Sequence, residues 1–142
     1  MHIAEGVLSA PVLITGAVVA AGAVAYGLKK LDPRQVMMAA ILGAAFFVAS
    51  LIHIPVGPSS VHLLLNGLLG VLLGWSAVPV IFVGLLLQAI LYGFGGLTVL
   101  GVNTATMGLG AVLSWYIFGG LLSVLKPLGA KKAAAVSGFV SG

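Results

Sequence analysis

Cysteine is absent from this chain, which excludes disulfides, thiolate metal sites and cysteine nucleophiles. Carboxylates are nearly absent too, Glu5 and Asp32 being the two in 142 residues. With six Lys/Arg the charged fraction is 6%, against roughly 25% in an average soluble domain. So few charges cannot cover the surface of a water-soluble domain of this size, which excludes a soluble enzyme and a nucleic-acid binder. No Gly-x-x-x-x-Gly-Lys-Ser/Thr loop occurs, and the glycine-rich stretch Gly93–Gly101 holds no lysine, so ATP hydrolysis is not expected here. The start, Met1-His2-Ile3-Ala4-Glu5, lacks the basic n-region of a cleavable signal. What is present is apolar: 61% of residues are hydrophobic and the mean hydropathy is +1.29. The pI near 9.8 comes from basic residues in two clusters, so it reports on topology rather than on affinity for polyanions.

A spanning helix needs about 20 mostly apolar residues. Candidate spans run from about Val7 to Leu28, Gln35 to Ile52, Val61 to Trp75, Val80 to Tyr92 and Thr104 to Leu125, and Ala133–Gly142 reads as the start of a sixth. Pro55, Gly57 and Pro58 forbid a continuous helix through His53–Ser60. Ser76–Pro79 reads as a tight turn, and Gly93–Asn103 as an irregular loop with Asn103 at the start of the following helix. The expectation is an all-α, polytopic membrane helical bundle forming one transmembrane domain over residues 1–142. It has about five complete spans and is incomplete at its C-terminus. Lys29, Lys30 and Arg34 follow the first span, and Lys126, Lys131 and Lys132 follow the fifth. Strict alternation puts both clusters on one side, which the positive-inside rule makes cytoplasmic. The N-terminus and the loops at His53–Ser60 and Gly93–Asn103 then share the external side. Gly16, Ala17, Ala20, Ala21, Gly22, Ala23 and Ala25 form a small-residue face on the first span, suited either to internal packing or to a second membrane subunit.

All three histidines, His2, His53 and His62, fall in or beside the external segments. If the α-amine is free, Met1-His2 can close two fused chelate rings through the amine nitrogen, the backbone nitrogen of His2 and its imidazole Nδ1. Three of the four positions of a square plane are then filled, and the strong neutral donors available for the fourth are His53 and His62. An all-nitrogen tetragonal set suits Ni(II), Cu(II) or a related late divalent ion. The amine and imidazole, with reference pKa values of about 7.7–8.0 and 6.5, must be deprotonated, so capture weakens as pH falls. His62 sits just inside the apolar zone, where an ionisable group is costly and marks function; the ordinary reading of His53 is an interfacial, hydrogen-bonded residue. Asn66 follows His62 by four residues, one helical turn, which suits it to hold the imidazole or a backbone carbonyl. Gln88 and Asn103 are further polar groups that must find partners in lipid. Glu5 balances charge or bonds the N-terminal turn rather than ligating.

The opening Met1-His2-Ile3-Ala4-Glu5-Gly6-Val7-Leu8-Ser9 resembles the start of the CbiM/NikM family, the substrate-specificity subunits of cobalt and nickel energy-coupling-factor transporters. Ile54-Pro55-Val56-Gly57-Pro58-Ser59-Ser60-Val61-His62 resembles the family's loop ending in histidine, and Gln88 through Asn103 its glycine-rich segment ending in Leu-Gly-x-Asn. The resemblance implies that Met1 and His2 supply three nitrogens and His62 the fourth, with Asn103 supporting the site. It also implies Co2+ or Ni2+ as the transported substrate, cobalt ahead by a narrow margin. A transmembrane coupling subunit and two ATPase subunits are implied as partners, with a small accessory membrane subunit among the candidates. The location implied is the cell (inner) membrane, and one or two further spans are expected beyond Gly142. Leu63-Leu64-Leu65-Asn66-Gly67 departs from the Pro-Thr-Gly of many cobalt members, which bears on the choice of metal. Two readings of other classes stand beside this one. The first is a ligand-free structural or assembly protein; the second is an intramembrane hydrolase using Ser59 or Ser60 with a histidine, for which no Gly-x-Ser-x-Gly elbow exists.

Overall fold

The computed structural model describes residues 3, 6–56, 59–62, 65–125 and 135. Helix α1 (Ala10–Lys30) starts with Pro11 in its first turn, where no backbone N–H is needed. It ends on Lys29 and Lys30, whose cations suit the negative end of the helix dipole. A single 3-10 turn, Pro33–Gln35, reverses the chain, and the Asp32 carboxylate accepts a hydrogen bond from Arg34 N–H at 2.8 Å. Helix α2 (Val36–Leu51) returns. Beyond it, β1 (His53–Val56) and β2 (Ser59–His62) form an antiparallel hairpin whose register pairs His53 with His62 and Val56 with Ser59. Helix α3 (Asn66–Leu73) is eight residues long. A 3-10 turn at Gly74–Ser76 separates it from α4 (Ala77–Tyr92), and α5 (Leu100–Leu125) completes the described bundle.

Close approaches along the helices give their directions. Gly43 faces Val80 and Gly84 faces Phe46, so α2 and α4 run parallel. Gly70 packs on the Ala111 backbone and Gly74 on the Trp115 indole, so α3 runs parallel to α5. Gly27, near the end of α1, meets Trp75 and Pro79 at the start of α4. The chain therefore alternates direction, α1, α3 and α5 one way and α2 and α4 the other. One end carries Ile3, the hairpin root and the start of α5. The opposite end carries Lys29 and Lys30 with a cluster of aromatic rings. There Tyr26 meets Trp75 edge-on at 4.9 Å, Lys30 lies 5.6 Å from the Tyr26 ring, and Trp75 Nε1 donates to Tyr116 Oη. Such rings are typical of a membrane–water boundary.

The core joins Phe46, Leu69, Leu73, Ala77, Ile81, Leu85, Met107 and Ala111. Val12, Ile14, Val18, Met37, Ile41 and Leu109 point outward, as a lipid-facing surface requires. The small-residue face of α1 divides: Gly16 and Ala17 press on α5 at Val102 and Gly101, whereas Gly22 has nothing within 4 Å.

The all-α membrane bundle expected from composition is what the chain forms, with three corrections. Among the described residues four segments are long and apolar enough to cross a membrane, and the third joins Asn66 to Tyr92 in one apolar run. Gly74, at φ +58°, breaks that run, so the pass expected at Val61–Trp75 is a half-length helix preceded by a hairpin. Helix α4 begins at Ala77 rather than Val80, because Pro79 is tolerated in a first turn. Helix α5 begins at Leu100 rather than Thr104, so the expected irregular loop is shorter, and Asn103, at the helix entry as expected, lies within the first turn with its N–H donating to Val99 O at 2.9 Å. The sixth span expected at Ala133–Gly142, like Lys126, Lys131 and Lys132, lies outside the described residues, Ala135 excepted.

Candidate metal centre

At the hairpin end, the first polar anchor is Asn103. Gly101 lets α1 approach closely, a Cβ there lying 2.5 Å from the Ala17 Cα. The start of α5 is thereby packed against α1, and Asn103 is 4% exposed. Its neighbours satisfy themselves locally: Thr104 donates to Leu100 O at 2.8 Å and Thr106 to Val102 O at 3.0 Å. The Asn103 amide is thus left to bond across 100 residues of sequence. Its Oδ1 accepts from Ile3 N–H at 3.0 Å and its Nδ2 donates to Ile3 O at 3.4 Å. This two-point clamp pins the backbone of the residue that directly follows His2.

A second polar group lies between α2 and α4. Gln88 is fully buried, and its Nε2 donates to Ser50 Oγ, which in turn donates to Phe47 O at 2.7 Å. Gln88 Oε1 has no partner. Asn66 Oδ1, at the start of α3, is likewise buried without a partner. Because Gly70 lies beside Ala111 and Gly74 beside Trp115, the same register puts Asn66 at the level of Met107. That is one helical turn from Asn103.

The residues expected to form the site are placed as follows. Asn103 is fixed as a clamp on Ile3. Asn66 opens α3 while His62 closes β2, so the two do not share a helical turn and the i,i+4 argument for their contact fails. The cause is local: the chain from His53 to His62 pairs its backbone in a hairpin rather than starting a helix. His53 and His62 stand opposite one another in that ladder. Met1, His2 and Glu5 lie outside the described residues, as do the side chains of His53 and His62. Among the described residues no group of three or more His, Cys, Asp or Glu gathers. Sequence reasoning flagged Gln88 and Asn103 as polar groups needing partners. It did not find Ser50 or the Ile3 backbone, since neither residue stands out in an apolar run.

Residues 2–142 match the family described as "Cobalt uptake substrate-specific transmembrane region", CbiM. The chain belongs to the CbiM family. A putative metal transport protein of Haemophilus influenzae is 46% identical over 142 residues, covering all of this chain and 68% of that protein. The fused nickel transport protein NikMN of Rhodobacter capsulatus is 38% identical over 116 residues, which span 75% of this chain and 33% of that one. A crystal structure of a truncated transition metal transporter superposes with a TM-score of 0.72 at 28% identity, covering 99% of this chain and 68% of that one. This CbiM-family chain therefore spans from a third to about two thirds of the relatives it matches.

The clamp yields a direct expectation for the metal capture proposed below. Asn103→Leu removes both bonds to Ile3, and loss of such supporting contacts typically lowers metal affinity about 10–100-fold. Titration of the purified variant with Ni2+ should show that loss. The bundle itself should survive, because the clamp holds the N-terminal segment and not the helix core.

Proposed function

We propose that this chain captures Co2+ or Ni2+ and is the substrate-specificity component of an energy-coupling-factor importer. The observation that carries the reading is the Ile3–Asn103 clamp, which anchors the chain one residue from His2 at the bundle end that also holds the hairpin root. Met1 supplies its amine, His2 its backbone nitrogen and imidazole, and His62 the fourth nitrogen. Asn103 positions the first two residues. Asn66, whose Oδ1 is unpartnered, supports the site from the start of α3, and Glu5 and His53 flank it. An all-nitrogen planar set selects late divalent ions over the oxygen-seeking Mg2+, Ca2+ and Mn2+.

One positively charged stretch gives the orientation in this reading. Lys29, Lys30 and Arg34 lie at the end opposite the clamp, so the positive-inside rule puts them in the cytoplasm and the metal centre outside. The chain is a transport component, not an enzyme. Energy comes from two ATPase subunits through a transmembrane coupling subunit, with a small accessory membrane subunit also a candidate partner. All of these sit in or on the cell inner membrane. The exposed small-residue strip around Gly22 suits close approach by a partner helix.

The test is titration of the purified protein with Co2+, Ni2+ and Mg2+, followed by melting temperature. One late divalent ion per chain should bind and Mg2+ should not. At 100 times its dissociation constant the ion should stabilise the fold by about 2.7 kcal/mol. Binding should weaken between about pH 8 and pH 6, as the amine and imidazoles gain the protons that compete with metal. A melting temperature unmoved by either metal would remove the reading in favour of a ligand-free assembly protein. Whether cobalt or nickel binds tighter decides the cargo.

A further inference from the structure

At the end opposite the hairpin, among the aromatic rings, lies a cavity of about 400 Å3 whose lining includes Tyr26, Lys30, Gln35, Trp75, Trp115 and Tyr116. Small-ligand sites span about 300–1,000 Å3. The groove between α2 and α4, by contrast, is lined by apolar residues throughout. Hydrogen-bond donors collect in the polar cavity without acceptors to match. Lys30 Nζ is held 5.6 Å from the centre of the Tyr26 ring, and the Gln35 side chain makes no cap to α2. Trp75 Nε1 donates to Tyr116 Oη, so the Tyr116 proton points elsewhere, and no acceptor among the described residues takes it. Trp115 lies across Gly74, where the missing Cβ leaves room for the indole. Among the described residues the one carboxylate is Asp32, which takes Arg34 N–H on the connecting turn and does not line the cavity. Lys29 and Arg34 add two more cations within four residues of Lys30. The local field is positive, and it has no counter-charge of its own.

We propose that this cavity holds the phosphate of an anionic phospholipid headgroup. The donors select an anion, and basic pockets between spanning helices suit such headgroups. Indole and phenol rings put the cavity at the depth where headgroups lie. An acyl chain also has a track to follow. Leu72 and Leu68, one helical turn apart on α3, are 44% and 46% exposed, and α3 runs toward the cavity, so Leu68 lies the deeper of the two. A choline headgroup fits less well, because Lys30 already faces the Tyr26 ring that a quaternary ammonium would need. A headgroup seated here touches the end of α1, the turn after α3 and the middle of α5 at once. It thereby braces the short α3 at its C-terminal end. The site requires only that this end lies at a membrane boundary; metal capture is not involved.

The experiment uses the full chain purified in detergent, with dioleoyl phosphatidylglycerol or dioleoyl phosphatidylcholine added. Native mass spectrometry counts the lipid retained, and thermal unfolding reads its effect. Wild type should retain one phosphatidylglycerol per chain, bound at least about tenfold more tightly than phosphatidylcholine, and should melt higher with it. Lys30→Gln should lose about 30-fold in phosphatidylglycerol affinity, the scale of a hydrogen bond to a charged group. Lys30→Arg keeps the charge and should bind within about threefold of wild type or tighter. Tyr116→Phe keeps the ring, removes the donor and should lose about threefold. Lys29→Gln removes the same charge one residue away, outside the cavity lining, and should lose no more than about fivefold, the general pull of a basic residue near a membrane. Inorganic phosphate in large excess should not displace the lipid, because it has no acyl chain to lay along α3. Displacement by phosphate would make the site one for a free anion and overturn the lipid assignment. Equal retention of the two lipids overturns it as well and leaves the cavity to an acidic segment of a partner chain. Equal losses in Lys29→Gln and Lys30→Gln would reduce the site to general charge attraction. Should Lys30→Gln fail to fold, the contrast between the two lipids in wild type, Lys30→Arg and Tyr116→Phe still decides the matter.

Discussion

Acetylation of the Met1 amine should abolish metal capture. It turns the amine, a donor of two electrons once deprotonated, into an amide whose lone pair is delocalised, while Asn103 still holds Ile3. The first chelate ring opens and the second loses the ring fused to it, so the expected weakening is at least about 1,000-fold, or about 4 kcal/mol. His62→Ala removes one donor of four and should cost less, leaving a weak site with the dipeptide still bound. Metal analysis of the purified acetylated protein, with His62→Ala and wild type beside it, measures all three. Retention of tight Ni2+ binding by the acetylated chain would overturn the amine-chelate model.

The second large effect concerns the bundle rather than the site. Gly70→Val should prevent α3 from seating on α5. A Cβ at Gly70 would fall inside contact distance of the Ala111 carbonyl, carbon and Cα, all of them backbone atoms that cannot rotate aside. Overpacking a core ordinarily costs about 1–3 kcal/mol, occasionally more, and a backbone-on-backbone clash belongs at or beyond the top of that range. Because α3 is eight residues long, it has few other contacts with which to hold its place. Gly22→Ala on α1 is the control: nothing lies within 4 Å of its Cβ, so it should leave the melting temperature unchanged or raise it slightly. Thermal unfolding of both variants in the same detergent reads the contrast.

Much of this architecture is legible in the residues, and what is missed has identifiable causes. Long apolar runs with few charges announce α1, α2 and α5, and Lys29-Lys30 and Gly93 mark two of the helix ends. The half-length α3 is hidden because Val61 to Trp75 is as apolar as a true span. What shortens it is backbone pairing of His53 with His62, and two four-residue strands leave no hydrophobic period to read. The same pairing defeats the proposed His62–Asn66 turn, since a spacing of four implies contact only once a helix has been granted. Asn103 is legible as a polar residue in need of a partner, but its partner is a main-chain amide 100 residues away. No side-chain pattern encodes that. Gln88 and Ser50 illustrate the same limit, because serine is common in apolar helices and gives no sign of which neighbour it will meet.

The brevity of α3 has a geometric consequence for how an ion reaches its destination. Eight residues rise about 12 Å, while the hydrocarbon slab is about 30 Å thick. Over the remaining depth the third crossing offers extended strands instead of a helix, and such a backbone persists only where it is shielded from acyl chains by protein or bathed by water. That stretch of the third crossing is therefore closed off from acyl chains by protein or by water. Under the capture reading proposed above, a hydrated cation arriving at the hairpin end would keep its water shell until it met the nitrogen donors, which leaves the steepest part of the dielectric barrier for the far half of the journey.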